Sequence, residues 1–287
     1  MQEKKRGRTH SRWLLPAALV LAGAAWFENF TLSTSTVTAA CAALPEAFSG
    51  LRIVQISDLH GRRFDAESRY LLELVRLQSP DLIALTGDLA DEFTDFSMLP
   101  PLLDGLTALA PTFYVTGNHE WVLSREKRAA LFSMLDAAGV VRLQNEYRLL
   151  KKGQASIVLA GVDDPNGPYD QKRPAQLVRE IRQSRGRDAY ILMLSHRNDE
   201  LDLWANMGVQ TVLCGHGHGG IVRLPFVGAV FGTHLDLFPD YTAGLYRKGQ
   251  TSMIVSRGLG GSRKLPLRIG NRPEIVTVIL KAESGKV

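Results

Sequence analysis

Apolar and polar positions alternate along this chain in a strand-then-helix rhythm that begins near residue 51. Residues 51–57 are mostly apolar and read as a buried strand; over 67–78, Tyr70, Leu71, Leu74 and Leu77 fall on one helical face, and Pro80 ends the run. The pattern repeats as a strand over 81–86, a helix over 97–109 and a strand over 112–116, then a helix N-capped by Ser124 and stopped at Gly139. Strands over 147–150 and 156–160 flank Lys152-Gly153 and predict a hairpin, so the sheet structure is mixed. The rhythm resumes with a helix over 176–183, a strand over 189–194, a helix over 199–206 and a strand over 209–214. Late strands over 252–256 and 274–280 are expected to complete a second sheet. Upstream, 32–40 alternates β-branched and polar residues as an extended lead-in, punctuated by Pro45 and Gly50. Repeated strand–helix alternation predicts the α/β class.

Composition changes this picture only at the start of the chain. At 287 residues, 45% hydrophobic and 22% charged, the chain is an ordinary globular one, large enough for one sizeable core. Residues 1–12, however, carry Lys4, Lys5, Arg6, Arg8 and Arg12 against the single acid Glu3. Trp13 to Phe27 contains no charge and has a tryptophan near each end, in the manner of an interfacial belt. We expect a basic cytoplasmic tail over 1–12, a membrane anchor over 13–30, a lead-in strand and linker over 31–50, and a catalytic domain over 51–287 on the extracytoplasmic side. Secretion after cleavage near Ala22-Gly23-Ala24 is the alternative.

A second basic run, Arg247 to Arg272, contains no acid and leaves the rest of the chain net acidic within a total of +5. Basic charge is thus segregated rather than spread over a face, which argues against a nucleic-acid partner. Nothing in the pattern points to an obligatory protein partner. The only two cysteines, Cys41 and Cys214, exclude a disulfide scaffold, and Cys214 sits in a core strand.

The chemistry gathers where predicted strands end. The first is followed by Asp58-Leu59-His60, the second by Gly87-Asp88, the third by Gly117-Asn118-His119-Glu120, and later ones by His196 and by His216-Gly217-His218. Five of the seven histidines are placed this way; His10 and His234 are not. Carboxylates, an amide and imidazoles together suit a pair of divalent ions such as Mn, Fe or Zn. Such a pair supports in-line displacement at phosphorus by a shared hydroxide.

These blocks, in this order between residues 51 and 220, resemble the calcineurin-like metallophosphoesterases. The resemblance implies a four-layer α/β/β/α sandwich of two mixed sheets, with a dinuclear site at their ends. By position, Asp58, His60 and His218 would hold one metal and Asn118, His196 and His216 the other, with Asp88 bridging and His119 protonating the leaving oxygen or stabilising charge on the phosphoryl group. Arg62 and Arg257 are candidate phosphate clamps, because a guanidinium pairs bidentately with that anion.

A narrower resemblance, to membrane-anchored bacterial phosphodiesterases, rests on Glu28-Asn29, Leu44-Pro45-x-x-Phe48-x-Gly50, Arg223-Leu224-Pro225-Phe226, Phe238-Pro239-x-Tyr241, Ser256-Arg257-Gly258-Leu259-Gly260 and Arg272-Pro273-Glu274. Gly217 stands where that group has threonine and Ile221 where it has glutamine. The implied activity is metal-dependent hydrolysis of a phosphodiester or lipid-linked diphosphate of the cell envelope by a metal-bound hydroxide. A phosphomonoesterase of the same fold and a non-catalytic, metal-containing envelope binding protein are the alternatives.

Overall fold

The computed structural model describes residues 11–233, 235–261 and 268–283. The basic tail over 1–10, His234, Arg263 and Lys264 lie outside them. In chain order the elements begin with helix α1 (Ser11–Phe30), β1 (Ser33–Cys41), β2 (Arg52–Ile56), α2 (Arg69–Leu77), β3 (Leu82–Thr86), α3 (Leu99–Leu109) and β4 (Thr112–Val115). There follow α4 (Asn118–Val122), α5 (Arg125–Ala137), β5 (Val141–Arg142), β6 (Glu146–Lys152), β7 (Ala155–Gly161), α6 (Pro174–Arg185), β8 (Ile191–Leu194), α7 (Leu201–Asn206) and β9 (Thr211–Cys214). The chain closes with β10 (Val222–Leu224), β11 (Gly228–Phe231), β12 (Gly244–Lys248), β13 (Thr251–Val255) and β14 (Glu274–Ala282).

Two six-stranded mixed sheets result, ordered β1-β14-β2-β3-β4-β5 and β12-β13-β9-β8-β7-β6, beside a small β10–β11 hairpin. Strand residues alternate between two cores. Ile53, Leu82, Ala84 and Val115 of the first sheet meet Leu159, Leu192, Leu213 and Ile254 of the second, while Val54, Ile56, Ile83 and Leu85 pack outward on α2, α3 and α5. On the far side, Ile191, Met193 and Val212 pack beneath α6 and α7 with Trp204. Burial on both faces explains why these strands read as continuous apolar runs. The layers are therefore helix, sheet, sheet, helix. Buried Gln55 fastens the sheets to each other, its Nε2 donating to the Cys214 carbonyl of the second sheet at 2.8 Å and to Thr86 Oγ1 at 3.0 Å.

Three expectations change. The late strands do not share a sheet: β13 joins the second, but β14 runs antiparallel to β2 and parallel to β1 inside the first. Period-two apolarity marks a strand without naming its partner. The lead-in strand forms as expected, but it is part of the domain expected to begin at residue 51: it is the edge of the first sheet, covering β14 along its whole length. The predicted anchor does form a helix, α1, with Pro16 within it, but among the described residues no helix is long and apolar enough to cross a membrane. Its uncharged run stops at Phe27, and Glu28 and Asn29 follow in the last turn. Cys41 and Cys214 are both buried free thiols.

Candidate dinuclear metal centre

Parallel strands deliver their C-terminal loops to one edge, and here the two sheets deliver theirs to the same place. From the first sheet, β2, β3 and β4 lead into Asp58–His60, Asp88 and Asn118–His119; from the second, β8 and β9 lead into His196 and His216–His218. Backbone bonds continue past the strand ends, with the Asp58 amide donating to the Gly87 carbonyl at 3.0 Å, His60 to Asp88 at 2.9 Å and Gly215 to His196 at 3.0 Å. The loops are thus extensions of the ladders.

Two groups of ligand atoms form, each within 4.8 Å: Asp58, His60, Asp88 and His218, and then Asp88, His196 and His216. Asp88 belongs to both. Asn118 joins the second group, its Oδ1 lying 3.1 Å from His196 Nε2. His119 stands beside the first group, its ring edge-on to His60 with centroids 4.7 Å apart, and its amide donates to Asp88 Oδ1 at 2.8 Å. All seven residues named as ligands therefore converge, with His119 adjoining them.

The backbone is bent to achieve this. Asp58, His60, Asp88, His216 and His218 all occupy the left-handed region, with φ of 51°, 49°, 52°, 68° and 51°. Each such non-glycine residue costs on the order of 1 kcal/mol or more, and such strain concentrates at functional sites. Gly215 is required by contact: an added Cβ would strike Ser57 Oγ and Asp58 Oδ2. At Gly217 a Cβ would lie 2.6 Å from Asn198 Nδ2, which donates to the Tyr241 carbonyl, so any larger residue there needs that side chain to move. The missing threonine is therefore accommodated by Asn198, and the neighbouring Ile221 is simply buried.

Protonation follows from burial and neighbouring charge. Burial raises the Asp58 carboxyl, Asp88 adds to that, and His196 and His60 oppose it. For Asp88, burial also raises the pKa, but His196, His60 and His119 outweigh it and hold the carboxyl well below its usual range. His196 is disfavoured as a cation by burial, yet Asp88 and Asp58 push it up to about 10. Its Nδ1 donates to the Thr86 carbonyl at 2.9 Å, leaving Nε2 aimed at Asp88, Asn118 and His216. Burial lowers His119, and His60 and His196 add to that against Asp88 and Asp91, so it is neutral at pH 7. Burial likewise holds His218 well below its usual value.

The donor set fits a metal pair. His60 Nε2 is 3.6 Å from Asp88 Oδ2 and His60 Nδ1 is 3.6 Å from Asp91 Oδ2, too far to bond, and both ring nitrogens and His218 Nδ1 are buried without partners. Buried ring nitrogens are rarely left unpaired. Cations between these atoms would satisfy them and neutralise two buried carboxylates at once.

These observations agree with what known proteins show. Residues 51–220 match the family described as calcineurin-like phosphoesterase. The chain belongs to that family. Among relatives of this phosphoesterase, the uncharacterized metallophosphoesterase YkuE of Bacillus subtilis (strain 168) is 31% identical over 267 residues, covering 90% of this chain and 89% of that one. Phosphodiesterase YaeI of Escherichia coli (strain K12) is 31% identical over 234 residues, covering 80% and 82%. Among solved structures, TT1561 of Thermus thermophilus aligns at a TM-score of 0.47 and 15% identity, covering 74% of this chain and 91% of that one. The phosphoesterase is a metal-dependent enzyme by family and by its candidate dimetal site.

The two arginines expected to clamp phosphate are committed elsewhere. Arg62 donates to the Asn29 carbonyl at the base of α1 and lies over the rings of Phe30 and Phe64 at 5.4 and 5.3 Å. Arg257 pairs with Glu274 at 3.0 Å and donates to Ser33 Oγ at 3.2 Å. Neither joins the ligand groups; loop-end basicity alone does not distinguish a clamp from a tie. Sequence reasoning named Glu120 in its motif without a role and passed over Arg197. The buried Glu120 carboxylate accepts from the amides of Asp88 at 3.0 Å, Leu89 at 2.7 Å, Ala90 at 3.3 Å and Gly117 at 2.7 Å, and burial together with Asp88 raises it to about 7. It pins the Asp88 turn to the Asn118 turn. Arg197 pairs bidentately with Asp164 at 2.6 and 3.1 Å and places Nη1 3.0 Å from His216 Nε2. Its position directly after His196 was the available signal.

Proposed function

We propose that this phosphoesterase hydrolyses a phosphodiester or a lipid-linked diphosphate of the cell envelope. The observation that carries the reading is Asp88 standing in both ligand groups, with His119 adjoining them outside the ligand set. Asp58, His60 and His218 would hold one divalent ion, and Asn118, His196 and His216 the other, across Asp88. The ions, when bound, supply the activated water and the charge neutralisation that attack at phosphorus needs.

The protein's own residues do the rest. Thr86 fixes the His196 tautomer, so that the nitrogen facing the site carries a lone pair once the buried proton has left. His216 presents Nδ1 inward, 3.1 Å from His196 Nε2. His119, held at its amide by Asp88, presents a partly exposed imidazole whose neutral N–H steadies charge on the phosphoryl group and whose protonated minority form gives a proton to the departing oxygen. Glu120 keeps the Asp88 and Asn118 turns in register as charge shifts.

A diester is favoured over a monoester by the state of the nearby cations. Arg257 and Arg197 are already paired with the carboxylates of Glu274 and Asp164, so they add little to balance the second charge of a monoester dianion. Similarity to a relative named as a phosphodiesterase supports the same choice. We also read α1 as attaching the domain to the membrane on its extracytoplasmic side. Purified protein loaded with Mn should turn over bis(4-nitrophenyl) phosphate faster than 4-nitrophenyl phosphate. The reverse order would establish the monoesterase alternative, and no turnover of either with a full metal complement would favour the binding protein.

A further inference from the structure

Exposed large apolar side chains are not scattered over this molecule. Of the eighteen among the described residues, five lie on α1 between Leu19 and Phe30, and seven lie between Leu224 and Ile269. The other six, Tyr70, Leu77, Phe93, Val122, Tyr169 and Leu203, are single residues with no two adjacent in the chain. Isolated exposed apolar residues are ordinary, but a contiguous set marks a surface that something covers.

The two sets are joined through the backbone that holds the site. Arg268 and Asn29 exchange two hydrogen bonds, the Arg268 amide donating to Asn29 Oδ1 at 2.9 Å and Asn29 Nδ2 to the Arg268 carbonyl at 3.1 Å. The next residue, Ile269, pairs with β10, donating to the Ile221 carbonyl at 3.0 Å and accepting from the Arg223 amide at 2.8 Å. The hairpin that hangs from it turns at Pro225-Phe226-Val227, with Phe226 fully exposed. Beyond β11 the chain folds back, the Phe238 amide donating to the Val230 carbonyl at 3.0 Å, so exposed Leu237 and Phe238 flank the same hairpin. Asn271 then ties this assembly to the metal loop through the carbonyls of His218 at 2.9 Å and Gly220 at 2.6 Å.

We propose that the hairpin tip and its flank, Leu224, Phe226, Val227, Leu237 and Phe238, enter the interfacial layer of a lipid bilayer and set the mouth of the metal site against it. The occupant is assigned from α1. That helix is exposed along residues 22–27 and apolar there, a surface that water does not favour, and its end is locked to the strand that carries the hairpin. A bilayer that takes up α1 thereby receives the hairpin too. The inference extends the reading that the substrate is carried by the envelope, since its phosphate would then lie in the headgroup layer beside the ligand groups.

Full-length protein allows a direct test, because both native cysteines are buried. Phe226→Cys, Phe238→Cys and, as control, Leu77→Cys each introduce one exposed thiol for a fluorescent label. Leu77 ends α2, just before β3 begins, at the edge of the sheet opposite the site. In vesicles of phosphatidylethanolamine and phosphatidylglycerol with brominated acyl chains, the labels at 226 and 238 should be quenched severalfold more than the label at 77. Equal quenching at all three positions would overturn the proposal. So would cross-linking through position 226 without quenching, which would place a second copy of the chain on this face. Hydrolysis of soluble bis(4-nitrophenyl) phosphate by the unlabelled wild type reports separately on the reading of the active site.

Discussion

The two sheets contribute opposite kinds of residue to the same site. The first supplies Asp58, Asp88 and Asn118, and an internal carboxylate holds the turns of the last two: Glu120 gathers four backbone amides from both sides of the Asp88 and Asn118 loops. The second supplies imidazoles, two of them oriented by a partner outside their own loop, His196 by the Thr86 carbonyl and His216 by the Arg197 guanidinium. Backbone donors thus hold the carboxylate turns, and one directional bond orients each of these two rings. The first arrangement resists the repulsion between two buried carboxylates; the second leaves rings free to exchange a proton for a metal. His60 combines both, with its ring near Asp91 and its backbone in the left-handed region.

Asp88, the one residue common to both groups, is where this division breaks most completely. Asp88→Ala should lose both metals and at least about 10³-fold in kcat, read by metal analysis beside phosphodiester hydrolysis. Retention of two metals per chain would show that the groups are independent. His119→Ala should keep its metals and lose roughly 10²–10⁴-fold in kcat, the range for a positioned proton donor. Wild-type turnover at full metal occupancy would remove His119 from the reaction.

Glu120→Gln sharpens the comparison from the first-sheet side. An amide oxygen can replace only part of the carboxylate's acceptor capacity, leaving buried amides unpaired at about 1–3 kcal/mol and weakening metal binding by about 10- to 100-fold. Denaturation of the metal-free protein and metal titration measure the two effects separately; unchanged values in both would show that the turns hold themselves.

The smallest expected effect concerns the second-sheet side, where Glu200 follows β8. Burial and Asp199 raise its carboxyl to about 7, against the opposing Arg197. The folded protein therefore binds this proton more tightly than the unfolded chain, and stability falls as pH rises from about 4.5 to 7, then stays reduced. Glu200→Gln should be stabilised over wild type by about 2 kcal/mol at pH 8 and by little at pH 4, in thermal melts of metal-free protein. A constant difference across that range would contradict the assigned ionisation.

Most strands and helices were legible because both faces of a central strand are apolar and each helix shows one apolar stripe. Ser124, expected as an N-cap, does accept the Lys127 amide at 3.2 Å. The misplaced element was β14, and the reason is general: alternation along a strand reports its faces, while its neighbours are chosen by contacts more than two hundred residues away in sequence. Arg62 and Arg257, expected as phosphate clamps, are held by Asn29 and by Glu274 and Ser33, and residue order shows none of these partners. A guanidinium at a loop end looks the same whether it waits for phosphate or already holds a carbonyl or a carboxylate.

What residue order determined by itself was the inventory of the site: hard and borderline donors placed after successive strands, in the order of a known family, with glycines where the loops crowd. That much is local, since strand ends and turn chemistry depend on near neighbours. Tertiary structure alone decided that Glu120 ties the Asp88 and Asn118 turns together, that Arg62 and Arg257 are held by Asn29 and Glu274, and that Asn29 of α1 is bonded to the segment whose Asn271 holds the His218 loop. Those facts depend on two sheets stacking face to face and bringing their loops to one edge, a long-range arrangement that no local pattern encodes.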